Sequence, residues 1–188
     1  MRSPNDIYSM PKIIHCPLQL RTPRKKEFRT EFPIRSPIQT AEAIRRFIRG
    51  KIICDVGCAS GDMVLQFSKY AKYAYGINWD QNEAATARER GADVVVGDVF
   101  NMDLPYADYY FIYWGPGEAV PFLDRMRNHP HPCTILASGH EDQPFLEWYA
   151  KEYGATKILT FPYREKETCN MCLAPSRGHW RLVMFKKE

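Results

Sequence analysis

No run of 18 apolar residues occurs in the 188-residue chain, so the sequence predicts no membrane-spanning helix. The first residues, MRSPNDIYSMPK, lack the apolar core of a signal peptide, and a cytoplasmic location is therefore expected. The six cysteines stand at irregular spacings, which fits free thiols in a reducing compartment better than a disulfide framework. Export, membrane insertion and a disulfide-stabilised scaffold are thus disfavoured.

Metal binding also has little support in the sequence. Cys169 and Cys172 form a single Cys-x-x-Cys pair, whereas a structural zinc ion needs four ligands. His131, Cys133 and His179 are only scattered candidates for the other two. No metal site is predicted.

Charge is unevenly distributed, although the net charge of the chain is only +4. Residues 1–35 contain eight basic residues, three acidic residues and five prolines, a composition that disfavours regular structure. We interpret 1–35 as a basic arm, either a solvated tail or a segment that contacts an acidic partner or nucleic acid. Residues 36–188 suffice for one domain with a sizeable core.

Apolar runs and helical periodicities alternate along residues 36–188, and the helix after KIICDVG is predicted over residues 62–72. The predicted strands are KIICDVG, YAYGIN, DVVVGD, ADYYFIYWG, CTILASG, TKILTFPY and HWRLVMFKK. Alternation with helices predicts an α/β fold, with a doubly wound, mostly parallel seven-stranded sheet and helices on both faces. No helix separates the last two strands, so a C-terminal antiparallel hairpin is expected.

The stretch KIICDVGCASGD, residues 51–62, places a glycine-bracketed loop directly after a buried strand. A strand, a small-residue loop and a helix form a turn that can cradle an anion or a nucleotide. No Lys-Ser or Lys-Thr follows Gly61, so the P-loop pattern is absent. A dinucleotide fingerprint needs glycines where this chain has Ala59 and Asp62. Neither pattern explains the acidic Asp55 inside the strand.

D-V-G-C-A-S-G resembles motif I of class I S-adenosylmethionine (SAM)-dependent methyltransferases, with Ala59 replacing the usual middle glycine. The strand pattern with its final hairpin is also that family's architecture, and the resemblance covers about residues 36–188. It implies that SAM is the cofactor and that Asp55 holds the methionine amine. The cofactor-binding residues that it implies are Asp55, Gly57, Cys58, Ala59, Gly61, Asn78, Trp79, Asp98 and Val99.

Three of these positions have specific roles under the resemblance. The family usually has an acidic residue at the end of strand 2 that binds both ribose hydroxyls, and this chain has Asn78 there, with Asp80 as an alternative. V-G-D-V resembles the motif in which an Asp receives the adenine amino group, which implies Asp98 for that contact. Val99 would then line the adenine ring.

The acceptor side is expected where strands 4 and 5 end, because ligands of open α/β sheets bind at the carboxyl ends of the strands. The candidate catalytic residues there are Tyr113, Trp114, His140 and Glu141, and the loop 164–178 should lie on the same side. Strand 4 ends in Y-W-G-P, whereas methyltransferases of base amino groups typically carry [DN]-P-P-[YF]. Adenine or glutamine N-methylation by that arrangement is therefore disfavoured.

The pattern S-x-H-E after strand 5, the Ser36-Pro37 pair and the small size loosely resemble one subgroup of the family. This subgroup contains the seven-strand protein-lysine methyltransferases of the archaeal broad-specificity and ATP-synthase c-subunit types. We therefore expect methyl transfer to a nitrogen nucleophile, with a protein lysine as first choice and RNA or a small molecule as alternatives. A catalytically inactive methyltransferase-like scaffold stays open, and a nicotinamide-binding module is disfavoured by the missing glycines.

Overall fold

The computed structural model describes residues 39–140, 144–164 and 177–187. The predicted basic arm, Glu141 and residues 165–176, which form most of the predicted loop 164–178 and contain Cys169 and Cys172, lie outside these residues. Within them the elements are α1 (Gln39–Ile48), β1 (Ile52–Val56), α2 (Asp62–Phe67), β2 (Tyr73–Asn78), α3 (Gln81–Glu89), β3 (Val94–Val96), β4 (Tyr109–Ile112), α4 (Pro116–Arg127), β5 (Cys133–His140), α5 (Pro144–Tyr153), β6 (Lys157–Arg164) and β7 (Arg177–Lys187).

The seven strands form one sheet in the order β3-β2-β1-β4-β5-β7-β6. Strands β1 to β5 pair in parallel, while β7 lies antiparallel between β5 and β6. The predicted fold class, a mostly parallel seven-stranded sheet with a C-terminal hairpin, is confirmed. No helix in the described part of the chain is long and apolar enough to cross a membrane.

Helices cover both faces of the sheet, as the sequence pattern predicts. Helices α4 and α5 contribute to a hydrophobic cluster on one face, and α1, α2 and α3 contribute to a second cluster on the other. Because side chains alternate along a strand, β1 sends Cys54 and Val56 into the first cluster and Ile53 into the second. Burial on both faces explains why β1 is almost entirely apolar.

Helix α2 is shorter than the sequence predicts, since the helical pattern extends to Lys72 but the helix ends at Phe67. Ala71 instead forms an antiparallel bridge with Arg49, and the Lys72 amide donates to the carbonyl of Lys51 at 2.9 Å. Pairing with a distant segment therefore overrides the local helical preference. As a result, the turns that lead into β1 and β2 lie side by side.

Candidate active site

The glycine-bracketed loop after β1 is fastened to the end of β2. The amides of Gly57 and Cys58 donate to the carbonyl of Ile77 at 2.8 and 3.1 Å. Gly57 has φ +79°, and a Cβ atom built on it would lie 2.7 Å from Nε1 of Trp114. Only glycine satisfies both the left-handed backbone and this close approach.

Ala59, at the position of the usual middle glycine, has φ +45° and so holds a left-handed conformation that is unfavourable for alanine. We expect Ala59→Gly to stabilise the protein by about 0.5–1 kcal/mol, because glycine adopts this conformation without strain. Thermal unfolding measures the change. Ala85→Gly, on the exposed side of α3, is the control and should destabilise instead. A lower melting temperature for Ala59→Gly would show that the backbone is not strained there.

Asp55 is a buried carboxylate close to the mouth of this loop. It lies in β1 with 6% of its surface exposed. Burial, together with the nearby charge of Asp62, raises the pKa of Asp55 to about 7. Among the residues that the structure describes, none donates a hydrogen bond to the Asp55 carboxylate and none forms an ion pair with it. A buried carboxylate is costly unless a cation or donor meets it, so this position favours a ligand that brings a positive charge.

Asn78 is buried at the end of β2, and its amide is engaged within the protein. Nδ2 donates to the carbonyl of Ala59 at 3.2 Å and to Oε2 of Glu83 at 2.9 Å. Oδ1 accepts from the amide of Asp80 at 3.0 Å. The side chain thus joins the loop after β1 to the start of α3, which is a role that the sequence analysis did not foresee.

Asn78→Asp should destabilise the protein by about 1–3 kcal/mol, because it leaves the Ala59 carbonyl without its donor and sets two carboxylates in contact. Chemical denaturation of both proteins measures the loss. Asn82→Asp is the matched control, since Asn82 is exposed in the first turn of α3, where an added negative charge is favourable. Equal stability of Asn78→Asp and the wild type would contradict the network described.

Glu83 is a site residue that sequence reasoning missed. The signal that could have found it is the D-x-x-E spacing of Asp80 and Glu83, which is typical of a helix start. Asp80 does cap α3, accepting from the amides of Asn82 and Glu83 at 2.9 and 3.2 Å. The Glu83 carboxylate, however, turns to Asn78 and so places an acidic group at the end of β2.

Trp114 covers the glycine loop from the end of β4. Its ring lies against the backbone of Gly57 and packs edge-on to Phe122, with centroids 5.4 Å apart. Phe100, a partly exposed ring that the sequence analysis did not select, lies 6.0 Å from it. Tyr113 points to the opposite face of the sheet, where it packs on Trp180 at 5.3 Å. The structure therefore brings Trp114, but not Tyr113, to the loop.

Asp98 and Val99 lie in the turn after β3. Oδ1 of Asp98 accepts from the amide of Phe100 at 2.9 Å, and Oδ2 accepts from Asn101 Nδ2 at 2.7 Å, so Asp98 holds its own turn. Val99 is buried, and its carbonyl accepts from the guanidinium of Arg125. Phe100 belongs to the same turn, and its ring lies beside Trp114, so these contacts hold the turn next to Trp114.

The remaining predicted residues differ in what they can offer a ligand. Trp79 is 43% exposed directly after β2. Cys58 is buried against Gly76, and burial raises the pKa of its thiol far above the usual range, which leaves it an unreactive packing group. The backbone of His140 pairs with Trp180 at the end of β5, and Glu141 lies beyond the residues described.

The carboxyl ends of β1 to β4 and the loops and helix starts that follow them are rich in carboxylates. Among the side chains that the structure describes there, the guanidinium groups of Arg90 and Arg125 are hydrogen-bonded, Arg90 to Asp62 and to the Ser60 carbonyl, and Arg125 to the carbonyls of Val99 and Met102. The backbones of Arg164 and Arg177 pair at the end of β6, further along the same edge of the sheet. The acidic residues at this edge are Asp55, Asp62, Asp80, Glu83, Asp98 and Glu118. The part of the edge formed by β1 to β4 therefore attracts cations and repels phosphates.

No family model and no curated protein matches the sequence, whereas solved structures do match the fold. An RNA methyltransferase from Salinibacter ruber, in complex with S-adenosyl-L-homocysteine, superposes with a TM-score of 0.60. The two chains are 11% identical, and the match covers 81% of this chain and 93% of that one. A SAM-dependent methyltransferase from Archaeoglobus fulgidus matches with a TM-score of 0.56 and 12% identity, over 86% and 99% of the two chains.

A third match is a precorrin-6Y C5,15-methyltransferase from Geobacter metallireducens, with a TM-score of 0.57 and 12% identity over 80% and 87% of the chains. At such identities the likeness concerns the fold alone. The protein has the Rossmann-like fold of class I SAM-dependent methyltransferases, with a glycine loop, a buried acid and an aromatic ring at the edge where such folds bind ligands.

Proposed function

We propose that the protein is a SAM-dependent methyltransferase that acts on a nitrogen nucleophile, with a protein lysine as the first choice of acceptor. The observation that carries the proposal is Asp55, a buried carboxylate without a cationic partner among the described residues, placed beside a loop that only glycine can form at residue 57. The methionine ammonium of SAM would supply the missing positive charge.

The surrounding residues then have distinct tasks. Asp55 would hold the ammonium, Gly57 would allow the backbone to approach the methionine, and Glu83 would place a carboxylate near the ribose. SAM, when bound, supplies an electrophilic methyl group on a sulfonium ion. Trp114 would bound the space over that group, because the face of an indole attracts a cation.

Methyl transfer of this kind depends chiefly on positioning. The attacking nitrogen uses its lone pair to form the new bond to the methyl carbon as the carbon–sulfur bond breaks, and the bonding electrons leave on sulfur. A lysine must first lose a proton to water or to a base. The carboxylates along this edge would attract a protonated lysine and guide it towards the site.

The acidic edge favours a cationic acceptor over RNA, whose phosphates it would repel. Incubation of the purified protein with lysate and methyl-labelled SAM tests the proposal. We expect label in a protein that resists RNase, is removed by protease, and yields methyllysine on hydrolysis. Label that RNase removes would instead identify RNA as the acceptor and refute the lysine assignment.

A second candidate is a methyltransferase-like subunit that binds SAM without turnover. Two departures favour it: the strained backbone at Ala59 and the internal hydrogen bonds of Asn78, which occupy the amide expected to contact ribose. SAM binding together with a complete absence of labelled product across lysate fractions would support this candidate over the enzyme.

A further inference from the structure

We propose that the protein binds single-stranded nucleic acid at the amino-terminal edge of its sheet, away from the candidate active site. The surface is defined by Arg49, Lys51, Lys69 and Lys72, which we call the basic corner. All four side chains are exposed. The proposal does not depend on methyl transfer, and either can fail without the other.

The two turns that carry these cations are held side by side by the backbone. Arg49 bridges to Ala71, and the Lys72 amide donates to the Lys51 carbonyl at 2.9 Å. The first residues of β1 and β2 then pair directly, Ile52 with Tyr73. Positive charges from distant parts of the sequence therefore converge on one exposed corner.

Among the described residues, carboxylates neutralise only part of this charge, since Asp108 lies beside Lys51 and Asp93 lines the same hollow as Lys72. Lys51 lies 3.5 Å from Oδ1 of Asp108, and Lys69 donates to the amide oxygen of Gln66. Within the residues that the structure describes, Arg49 and Lys72 form no ion pair. The two arginines of the last turn of α1 are not counted here, because Arg45 pairs with Glu42 at 3.2 Å and Arg46 lies over the ring of Phe47. A polyanion fits the surplus positive charge.

An exposed aromatic ring and an apolar hollow adjoin the cations. Tyr73 is 46% exposed, and its ring stacks on Tyr75 with centroids 5.7 Å apart. A hollow of about 230 Å³ lies beside it, and its lining includes Lys72, the apolar side chains of Val64 and Leu65, and Asp93, which accepts a hydrogen bond from the Tyr73 hydroxyl. Bases of a single strand stack on such rings while cations follow the phosphates, whereas a duplex keeps its base faces covered.

The basic corner is well separated from the candidate cofactor loop. Strand β1 runs between them over five residues, or about 17 Å at the usual rise per residue. A strand of nucleic acid held here would leave the acidic edge open. It would bring the protein to a nucleoprotein particle while a protein amine enters the candidate active site.

Fluorescence anisotropy with the full chain and a labelled single-stranded RNA of about 12 nucleotides tests the proposal. We expect the logarithm of the binding constant to fall linearly with the logarithm of the salt concentration. The slope should be about −3, the value for about four phosphate contacts. Lys72→Glu should weaken binding by about fivefold or more and flatten that slope. Tyr73→Ala should weaken binding and leave the slope unchanged, since it removes stacking and no charge.

Lys151→Glu is the matched control, because Lys151 is an exposed lysine of α5, which packs on the opposite face of the sheet. It should bind RNA as the wild type does. Wild-type affinity in Lys72→Glu, an equal loss in Lys151→Glu, or equally tight binding of a duplex of the same length would overturn the proposal. A single-stranded DNA of the same sequence shows whether the basic corner prefers RNA or DNA. Binding of either the single-stranded RNA or the single-stranded DNA supports the proposed site.

Discussion

Asp55→Asn should weaken SAM binding by about tenfold to a hundredfold and, at neutral or higher pH, raise the melting temperature of the protein. The first effect follows from loss of the only buried carboxylate near the loop among the described residues. A hydrogen bond to a charged group contributes about 1.5–3 kcal/mol, so affinity should fall by about tenfold to a hundredfold. Asp124→Asn, an exposed carboxylate on α4, is the control and should bind SAM normally.

The stability effect has a defined pH dependence. Because burial raises the pKa of Asp55 from 3.8 to about 7, the folded protein holds this proton more tightly than the unfolded chain does. The ionised carboxylate therefore destabilises the fold, with no effect below pH 3.8, a growing effect between 3.8 and 7, and the full effect above 7. The gain in melting temperature of Asp55→Asn should be largest at pH 8 and shrink towards pH 5. A gain independent of pH would contradict this assignment.

Trp114→Ala should lower kcat by about a hundredfold while changing the SAM dissociation constant by only about threefold. The indole lies over Gly57 and between the rings of Phe100 and Phe122. It therefore bounds the space in which nucleophile and methyl group must align, whereas Asp55 supplies the charge that binds the methionine. Steady-state kinetics on the labelled acceptor, with calorimetry for SAM, separates the two quantities.

Trp114→Phe is the matched variant for this prediction. It keeps an aromatic wall of smaller area, so kcat should recover most of its wild-type value. Thermal unfolding of both variants shows whether the contact with Phe122 is needed for stability. An unchanged kcat in Trp114→Ala, or a loss of SAM affinity as large as the loss of kcat, would contradict the role given to this ring.

The architecture was predictable because local patterns determine it. Short apolar runs alternating with helical periodicity indicated a parallel sheet, and the missing helix before HWRLVMFKK indicated the hairpin that the structure contains. The end of α2 was not predictable in the same way. It is set by the bridge between Arg49 and Ala71, a contact between segments 22 residues apart.

The candidate site was predictable in its loop and less so in its contacts. The sequence indicated Asp55 and Gly57, but the hydrogen bond from Asn78 to Ala59 joins residues 19 positions apart and leaves no local pattern. Strand periodicity did carry one further signal. Consecutive residues of a strand face opposite sides, so Tyr113 and Trp114 could not both have pointed to the same face at the end of β4.

Isothermal titration of the full chain with SAM tests the central claim most directly. At pH 6, where Asp55 is mostly protonated, SAM should bind with release of a proton, so the heat should depend on the ionisation enthalpy of the buffer. For Asp55→Asn, the heat of SAM binding should not depend on the buffer, because no proton is released. NAD should not bind to the wild type. Unaltered SAM binding in Asp55→Asn, or binding of NAD in place of SAM, would contradict the account.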